Sequence, residues 1–245
     1  KNEKIDVIKI ALLSSVGITN LWVYKTLRVA VVSSGNELIK SGKKIKDHQV
    51  YDSNKYQIIH FLKKFNISVH DLGILKDDEI KVDKFYKKNQ NKFDIIISSG
   101  GSSFSSKDYI SSFLSQNTEL LFKYVRIQPG RPVIFSKLKF NYYFSLPGNP
   151  LAVFTNLFFL VSLFIDPSRK DNSSIIKSYQ SGFSENKKSN ITKFYRVKLS
   201  KNILYTHNSK GSAKLISLSE ADGLAFVPEG NDKIKKGEKI SFIEF

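Results

Sequence analysis

Two short segments carry the residue types from which an anion site is built. Ser98-Ser99-Gly100-Gly101-Ser102-Ser103 ends a β-branched apolar run and leads towards Asp108, and Ser145-Leu146-Pro147-Gly148-Asn149-Pro150 lies further along the chain. Glycine lets a backbone approach a ligand closely, N–H groups at a helix start favour anions, and serine hydroxyls add donors. A plain strand-to-helix turn would use the same residues. Pro147 and Pro150 stiffen the second segment, Gly148 opens it, and Pro150 suits the first turn of a helix. In an open α/β sheet, ligands bind outside the carboxyl ends of the strands, so the two turns point to one anion-binding crevice.

Carboxylates fall around it. Glu37, Asp52, Asp77, Asp78 and Asp108 all stand at or just after strand ends or at helix starts. There they either hold a hard cation such as Mg²⁺ against phosphate oxygens or serve as ordinary N-caps. Gln128-Pro129-Gly130-Arg131-Pro132 is another stiff turn, with one cation. Arg131 suits bidentate contact with phosphate or another oxyanion, and would equally serve in a surface ion pair. His48, His60, His70 and His207 lack metal-ligand spacing, and neither a Ser/His/Asp order nor a P-loop lysine motif stands out. The chain has no cysteine, which excludes disulfides, thiolate metal sites and a cysteine nucleophile.

Positioning these residues falls to alternating strands and helices. Residues 5–16 have helical spacing closed by Gly17, Leu21–Tyr24 is a short extended piece, and Arg28–Ser33 is an apolar strand. A helix over Tyr51–Asn66, capped by Asp52 or Ser53, precedes a strand at Ser68–Leu72; Asp77-Asp78 opens a helix at Glu79–Asn89. Asp94–Ser98 is a buried strand and Asp108–Leu114 a helix. Tyr124–Ile127, Pro132–Phe135 and Tyr142–Ser145 are extended, and Leu151–Ile165 is a long apolar helix. This order predicts an α/β fold, a mostly parallel sheet with helices on both faces. After a boundary near Pro167–Asn172 the pattern changes to short alternating stretches, Phe194–Leu199, Ile203–Thr206, Ala213–Ser217, Leu224–Pro228 and Lys239–Ile243. They predict a small all-β, barrel-like domain.

The 245 residues are enough for more than one domain, and the apolar fraction of 41% is ordinary for a globular protein. No apolar run reaches the ~18 residues that span a bilayer. The polar start, Lys1-Asn2-Glu3-Lys4, does not read as a secretory signal, and absence of cysteine fits a cytoplasmic protein. Residue 1 is not methionine, so the chain reads as a fragment or as incomplete at its N-terminus. The formal charge of +17 has two readings: an anion-binding field, or the Lys/Asn/Ile-rich drift of an AT-rich coding sequence. The lysines are scattered rather than gathered in one tract, and interleaved Lys and Phe/Tyr could stack nucleic-acid bases only on the first reading.

Taken in order, several stretches resemble the molybdopterin molybdenumtransferases, the enzymes of the last step of molybdenum cofactor synthesis, and the matching domain of gephyrin. They are Ser33-Ser34-Gly35-Asn36-Glu37-Leu38; Tyr51-Asp52-Ser53-Asn54; Leu72-Gly73-Ile74 with Asp77-Asp78; Ser99-Gly100-Gly101 with Ser103 and Asp108-Tyr109; Pro129-Gly130 with Pro132; and Leu146-Pro147-Gly148-Asn149-Pro150. Ala221-Asp222-Gly223-Leu224 and Gly237-Glu238 resemble the family's C-terminal β domain.

The resemblance implies a molybdopterin-binding α/β domain at residues 28–170, a small β barrel at 171–245, and the tail of an upstream domain at 1–27. It implies insertion of molybdate into adenylylated molybdopterin with release of AMP, in the presence of Mg²⁺. By position it gives Glu37, Asp77 and Asp108 catalytic roles, with Asp77 and Asp108 around the metal. Ser34, Gly35, Asp52, Ser53, Asn54, Gly100, Gly101, Ser102, Ser103, Arg131, Pro147, Gly148, Asn149 and Pro150 become the substrate-binding set. It also implies a homodimer for the full-length protein, with no specific nucleic-acid partner and no membrane. The chain departs from the family at Asn36, usually Asp; at Ser105, usually Gly; and at Gln128 and Arg131, often Lys. Two alternatives therefore stand beside the transferase: a molybdopterin adenylyltransferase-like enzyme, and a non-catalytic pterin-binding or scaffold remnant.

Overall fold

A computed structural model describes residues 3, 5–65, 67–102, 108–166, 176–188, 190–207 and 214–245. Helix α1 (Val7–Ser15) buries none of its residues, and Leu21–Tyr24, expected to be extended, is exposed chain with no regular element. Strand β1 (Arg28–Ser34) leads through two short strands, β2 (Leu38–Ile39) and β3 (Val50–Tyr51), to helix α2 (Asn54–Leu62). Then come β4 (Ser68–Leu75), α3 (Glu79–Asn89), β5 (Ile95–Ser99) and α4 (Tyr109–Asn117). Next are β6 (Glu119–Tyr124), β7 (Ile127–Gln128), β8 (Pro132–Leu138), β9 (Asn141–Leu146) and α5 (Pro150–Asn156). Helix α5 continues through a π-helical stretch, Leu157–Val161, into α6 (Ser162–Ile165), which realises the long apolar helix as one rod.

The first sheet has the order β4-β1-β5-β9-β8-β6. Neighbours from β4 to β9 pair in parallel, while β8 and β6 are antiparallel. Side chains alternate across the sheet, as the period of two requires. Val29, Val31, Ile95, Ile97, Phe135, Phe144 and Leu146 face α2 and the long helix rod. Ala30, Val32, Ile96, Ile134 and Tyr143 face α3 and α4 through Val82, Tyr86, Ile110, Phe113 and Leu114. Both faces are covered, so β1 and β5 are apolar along almost their whole length. This is the mostly parallel α/β architecture that the sequence predicts. Strand β6 lies before the expected Tyr124–Ile127 segment and overlaps it only at Tyr124, while β8 and β9 run beyond their expected segments.

The second unit contains β10 (Ile176–Ser181), β11 (Glu185–Asn186), β12 (Thr192–Ser200), β13 (Ile203–Thr206), α7 (Lys214–Ser219), β14 (Gly223–Val227), β15 (Lys233–Ile234) and β16 (Lys239–Glu244). Strands β13, β10, β16, β14 and β12 pair in that order, and β12 pairs back to β13, closing a small five-stranded barrel. Tyr195, Val197, Leu204, Ala225, Ile240 and Phe242 fill it. Ala213–Ser217, expected to be extended, differs: residues 214–219 form α7. Among its described side chains only Ser217 and Leu218 are buried, and so short a run does not distinguish helix from strand. The expected boundary at Pro167–Asn172 lies outside the described residues.

Strand β12 joins the two units. Its last four residues pair with β13, whereas Thr192 and Lys193 at its start pair with β7. An apolar cluster seals the same junction. Leu151, Phe154 and Phe159 of the long helix pack with Phe194, Leu218, Leu224 and Phe226, and the rings of Phe159 and Phe194 are 4.6 Å apart.

Candidate active site

Parallel pairing brings the carboxyl ends of β1, β5 and β9 side by side. The register places Ser33 beside Ser99, Ser98 beside Ser145, and Ser99 beside Leu146. All five residues are buried. Serine here leaves room for the chain to turn and supplies hydroxyls to hold the turns. The Ser145 hydroxyl donates to Gly100 O at 3.2 Å, and Gly100 N donates to Leu146 O at 2.9 Å.

Glycine is required at two positions of this loop. Gly100 has φ +85°, and a Cβ there would lie 2.4 Å from the Ser34 carbonyl oxygen. Gly101 has φ +79°, and its Cβ would lie 2.7 Å from Cβ of Ile110 on α4. The loop is thus pressed against β1 on one side and the helix on the other. Ser102 is buried beside it; Ser103 and Ser105 lie outside the described residues. Asp108 opens α4 as its N-cap, its Oδ1 accepting from Ser111 N at 2.9 Å. Beneath the loop, burial pushes the Tyr86 phenol well above its ordinary pKa; a hydrogen bond with Ser98 offsets part of this, and Tyr143 and Asp108 add to it.

The segments that follow β1 and β4 meet at Asp77. Asp77 Oδ1 accepts from the Ser34 hydroxyl at 3.0 Å, and Oδ2 accepts from Asn36 N at 3.1 Å. Asn36 returns the contact, its Oδ1 accepting from Asp77 N at 3.2 Å. An aspartate would offer the same acceptor, so the departure from the family pattern at Asn36 keeps this pair intact. Lys76 Nζ donates to Asn36 O at 3.1 Å, a brace with no distinguishing signal among so many lysines. Glu37 folds back over Gly35: a Cβ on Gly35 would lie 2.7 Å from both Glu37 carboxylate oxygens.

Asn54, the first residue of α2, spans the two turns singled out in the sequence. Its Nδ2 donates to Ser99 Oγ and to Gly148 O, both at 2.8 Å. Asn149 caps α5 by accepting from Leu151 N at 3.0 Å; Pro150 begins that helix, and Pro147 is buried. Asp52 takes the capping role that its position also suggests. It is only 2% exposed, and its Oδ1 caps α2 by accepting from Lys55 N at 3.2 Å. Ser53 makes no side-chain cap bond.

Arg131 stands further out at the same end of the sheet. It is exposed and lies over the ring of Tyr124, 5.5 Å from the centroid. Its turn is held from behind. The fully buried Thr155 donates to Pro129 O at 2.9 Å, and Asn156, equally buried, donates to Gly130 O at 3.1 Å. Because Gln128 belongs to β7 and pairs with the barrel, the barrel is part of what positions Arg131. In the sequence these two polar residues merely interrupt an apolar helix; their role becomes visible only with the turn packed against them.

Among the described residues, no three His, Asp or Glu side chains converge as a metal-ligand set. Two surface pockets, of about 200 and 260 Å³, lie in the barrel. Neither is lined by the converging strand ends, so the site is recognised by its chemistry.

Residues 30–166 match a family model described as a probable molybdopterin binding domain, and residues 180–245 match the MoeA C-terminal region (domain IV). The chain is 34% identical over 154 residues to the molybdopterin molybdenumtransferase of Haemophilus influenzae, covering 63% of this chain and 38% of that protein. It is 26% identical to the molybdopterin molybdenumtransferase of a Nostoc species, covering 99% of this chain and 58% of the relative. A solved molybdopterin biosynthesis MoeA protein from Pyrococcus horikoshii superposes with a TM-score of 0.81 at 28% identity, over 100% of this chain and 61% of that one. The chain therefore spans between about two-fifths and three-fifths of the length of these relatives.

Proposed function

Because the chain belongs to the molybdopterin molybdenumtransferase family, we propose that its strand-end site binds adenylylated molybdopterin and inserts molybdate into the dithiolene, with release of AMP. The observation that carries this reading is the convergence of three serine-rich strand ends, the Gly100–Gly101 loop and the Asp77 carboxylate at one edge of the sheet. On the same reading, residues 28–170 form the molybdopterin-binding domain, 171–245 the barrel domain, and 1–27 the tail of an upstream domain. The full-length protein acts as a homodimer in the cytoplasm.

The chemistry follows from charge. The pterin phosphate, the adenylyl group and molybdate are all anionic, so donors must already point where the negative charge collects. The backbone N–H groups of Gly101 and Ser102, with the hydroxyl of Ser103, take the phosphate. Asn54 keeps the β5 turn and the Pro147–Gly148 turn at a fixed spacing, which orients the substrate between them. Arg131 contributes a cation for an oxyanion at the outer rim.

Asp77 and Asp108 supply oxygen donors suited to Mg²⁺, an ion that takes one or two carboxylates and completes its shell with phosphate and water. Bound there, Mg²⁺ would offset charge on the phosphate that leaves with AMP. Glu37, folded over Gly35, faces the same edge and serves as the further carboxylate around the reacting phosphate.

The barrel and the Pro147–Pro150 turn favour the molybdate-inserting reaction over the adenylylation step, whose single-domain relatives lack the barrel. Incubating the protein with adenylylated molybdopterin and Mg²⁺, with and without molybdate, tests the proposal. Molybdate-dependent AMP release is expected. Saturable binding without AMP release would instead support a non-catalytic pterin-binding protein.

A further inference from the structure

A buried charge lies directly behind this site. Lys55, in the first turn of α2, is 2% exposed, as is Asp52. Its ammonium group lies 3.6 Å from Asp52 Oδ2 and 3.2 Å from Asp71 Oδ1. Asp52 Oδ2 is buried with no hydrogen-bond partner, so the ammonium is what offsets its charge. Asp71 belongs to β4 at an irregularity: pairing with β1 shifts register between Val31 and Ser33, and Asp71 Oδ1 also accepts from Gly73 N at 2.8 Å. Lys55 thus ties the start of α2 to a bulge in the edge strand.

Both ends of this tie lead to the site. Immediately before Lys55, Asn54 bridges Ser99 and Gly148. Downstream of the bulge, β4 ends at Leu75, and Asp77 follows with its contacts to Ser34 and Asn36. Burying a lysine ammonium is costly unless it is well paired, and a stabilising contact alone would be served as well by apolar packing. The arrangement is accounted for by what it fixes.

We propose that Lys55 is a positioning residue: its buried ammonium locks the start of α2 to the β4 bulge, so that Asn54 and Asp77 present a preset site to the substrate. The kinetic part of this inference rests on the function proposed above; the geometric part does not.

The test separates positioning from mere stability with two variants of the full chain. Lys55→Met leaves the Asp52 charge buried and unpaired, so it loses stability as well as position. The double variant Asp52→Asn/Lys55→Met removes both charges, while the amide introduced in place of the Asp52 carboxylate still caps α2. Two properties are read: KM and kcat for adenylylated molybdopterin, and hydrogen exchange of the Asn54 side-chain amide by NMR. Positioning predicts that the double variant regains thermal stability relative to Lys55→Met, yet keeps a kcat/KM lowered by about tenfold or more. It also predicts a fast-exchanging Asn54 amide in both variants.

A double variant with wild-type kcat/KM and a protected Asn54 amide would overturn the inference and reduce Lys55 to a stabilising residue. If the wild-type protein itself releases no AMP, the functional reading fails, and Asn54 exchange alone decides between positioning and stability.

Discussion

Gly100→Ala perturbs the closest approach in the site. The residue combines φ +85° with a projected Cβ only 2.4 Å from the Ser34 carbonyl oxygen. Reaching even the 3.0 Å lower limit of real contacts requires a retreat of about 0.6 Å, and an ordinary contact about 1 Å. The left-handed backbone adds about 1–2 kcal/mol for alanine, so with the displaced loop the total loss of stability is about 2–4 kcal/mol. A displacement of ~1 Å in groups that orient a substrate costs up to about 100-fold in rate. Gly237→Ala is the control: its φ of +87° is nearly the same, but no atom lies within 4 Å of the projected Cβ, and it sits in a barrel turn. Thermal unfolding and AMP-release kinetics of the two variants form the assay. Both lose stability from the backbone term, while only Gly100→Ala loses kcat/KM, by about 10- to 100-fold. Gly100→Ala with kcat/KM within about twofold of wild type would refute the argument that the loop's contact with β1 sets the site.

Other expectations follow from the same geometry. Asp108→Asn keeps an N-cap acceptor for Ser111, so its stability stays within about 1 kcal/mol of wild type while turnover is abolished. Asp77→Asn also abolishes turnover, because the amide can keep its contacts to Ser34 and Asn36 but carries no charge with which to hold a cation; near-normal AMP release by both variants would remove these carboxylates from the reaction. Thr155→Val deletes the donor to Pro129 O, costs about 1–3 kcal/mol in thermal or urea unfolding, and weakens molybdate dependence by loosening the Arg131 turn. Alkaline stability is set by buried phenols. Burial pushes Tyr143 up to about 12 and raises Tyr86 and Tyr195 as well. An unfolded phenol titrates near pH 10, so the contribution of these neutral phenols is complete below about pH 10 and is lost as pH rises towards about 12. A urea midpoint unchanged between about pH 9 and 12 would contradict this burial.

The α/β half was legible because its strands are buried on both faces. Continuous apolar runs such as Val29–Val32 and Ile95–Ile97 have few alternative readings, and the acids before α3 and α4 mark helix starts on their own. The loop glycines were equally legible, since Gly100 and Gly101 follow such a run directly. What escaped the sequence depends on partners distant along the chain. Lys55 looks like any exposed helix lysine until Asp71 is brought beside it by β4. Asp52 reads from sequence as cap or ligand, with the cap the commoner job, and its bond from Lys55 N shows the cap. The pairing of β7 with β12 joins residues more than sixty positions apart, through a two-residue strand that carries no periodicity. Residues 214–219 show the opposite case, a run too short for its spacing to choose between helix and strand.

The most direct measurement is a crystal structure of the protein with adenylylated molybdopterin bound. The account predicts the pterin phosphate within hydrogen-bonding distance of the backbone N–H groups of Gly101 and Ser102, and the adenylyl phosphate on the side of Asp77 and Asp108. A ligand seated instead in either barrel pocket, with the Gly100–Gly101 loop untouched, would contradict it.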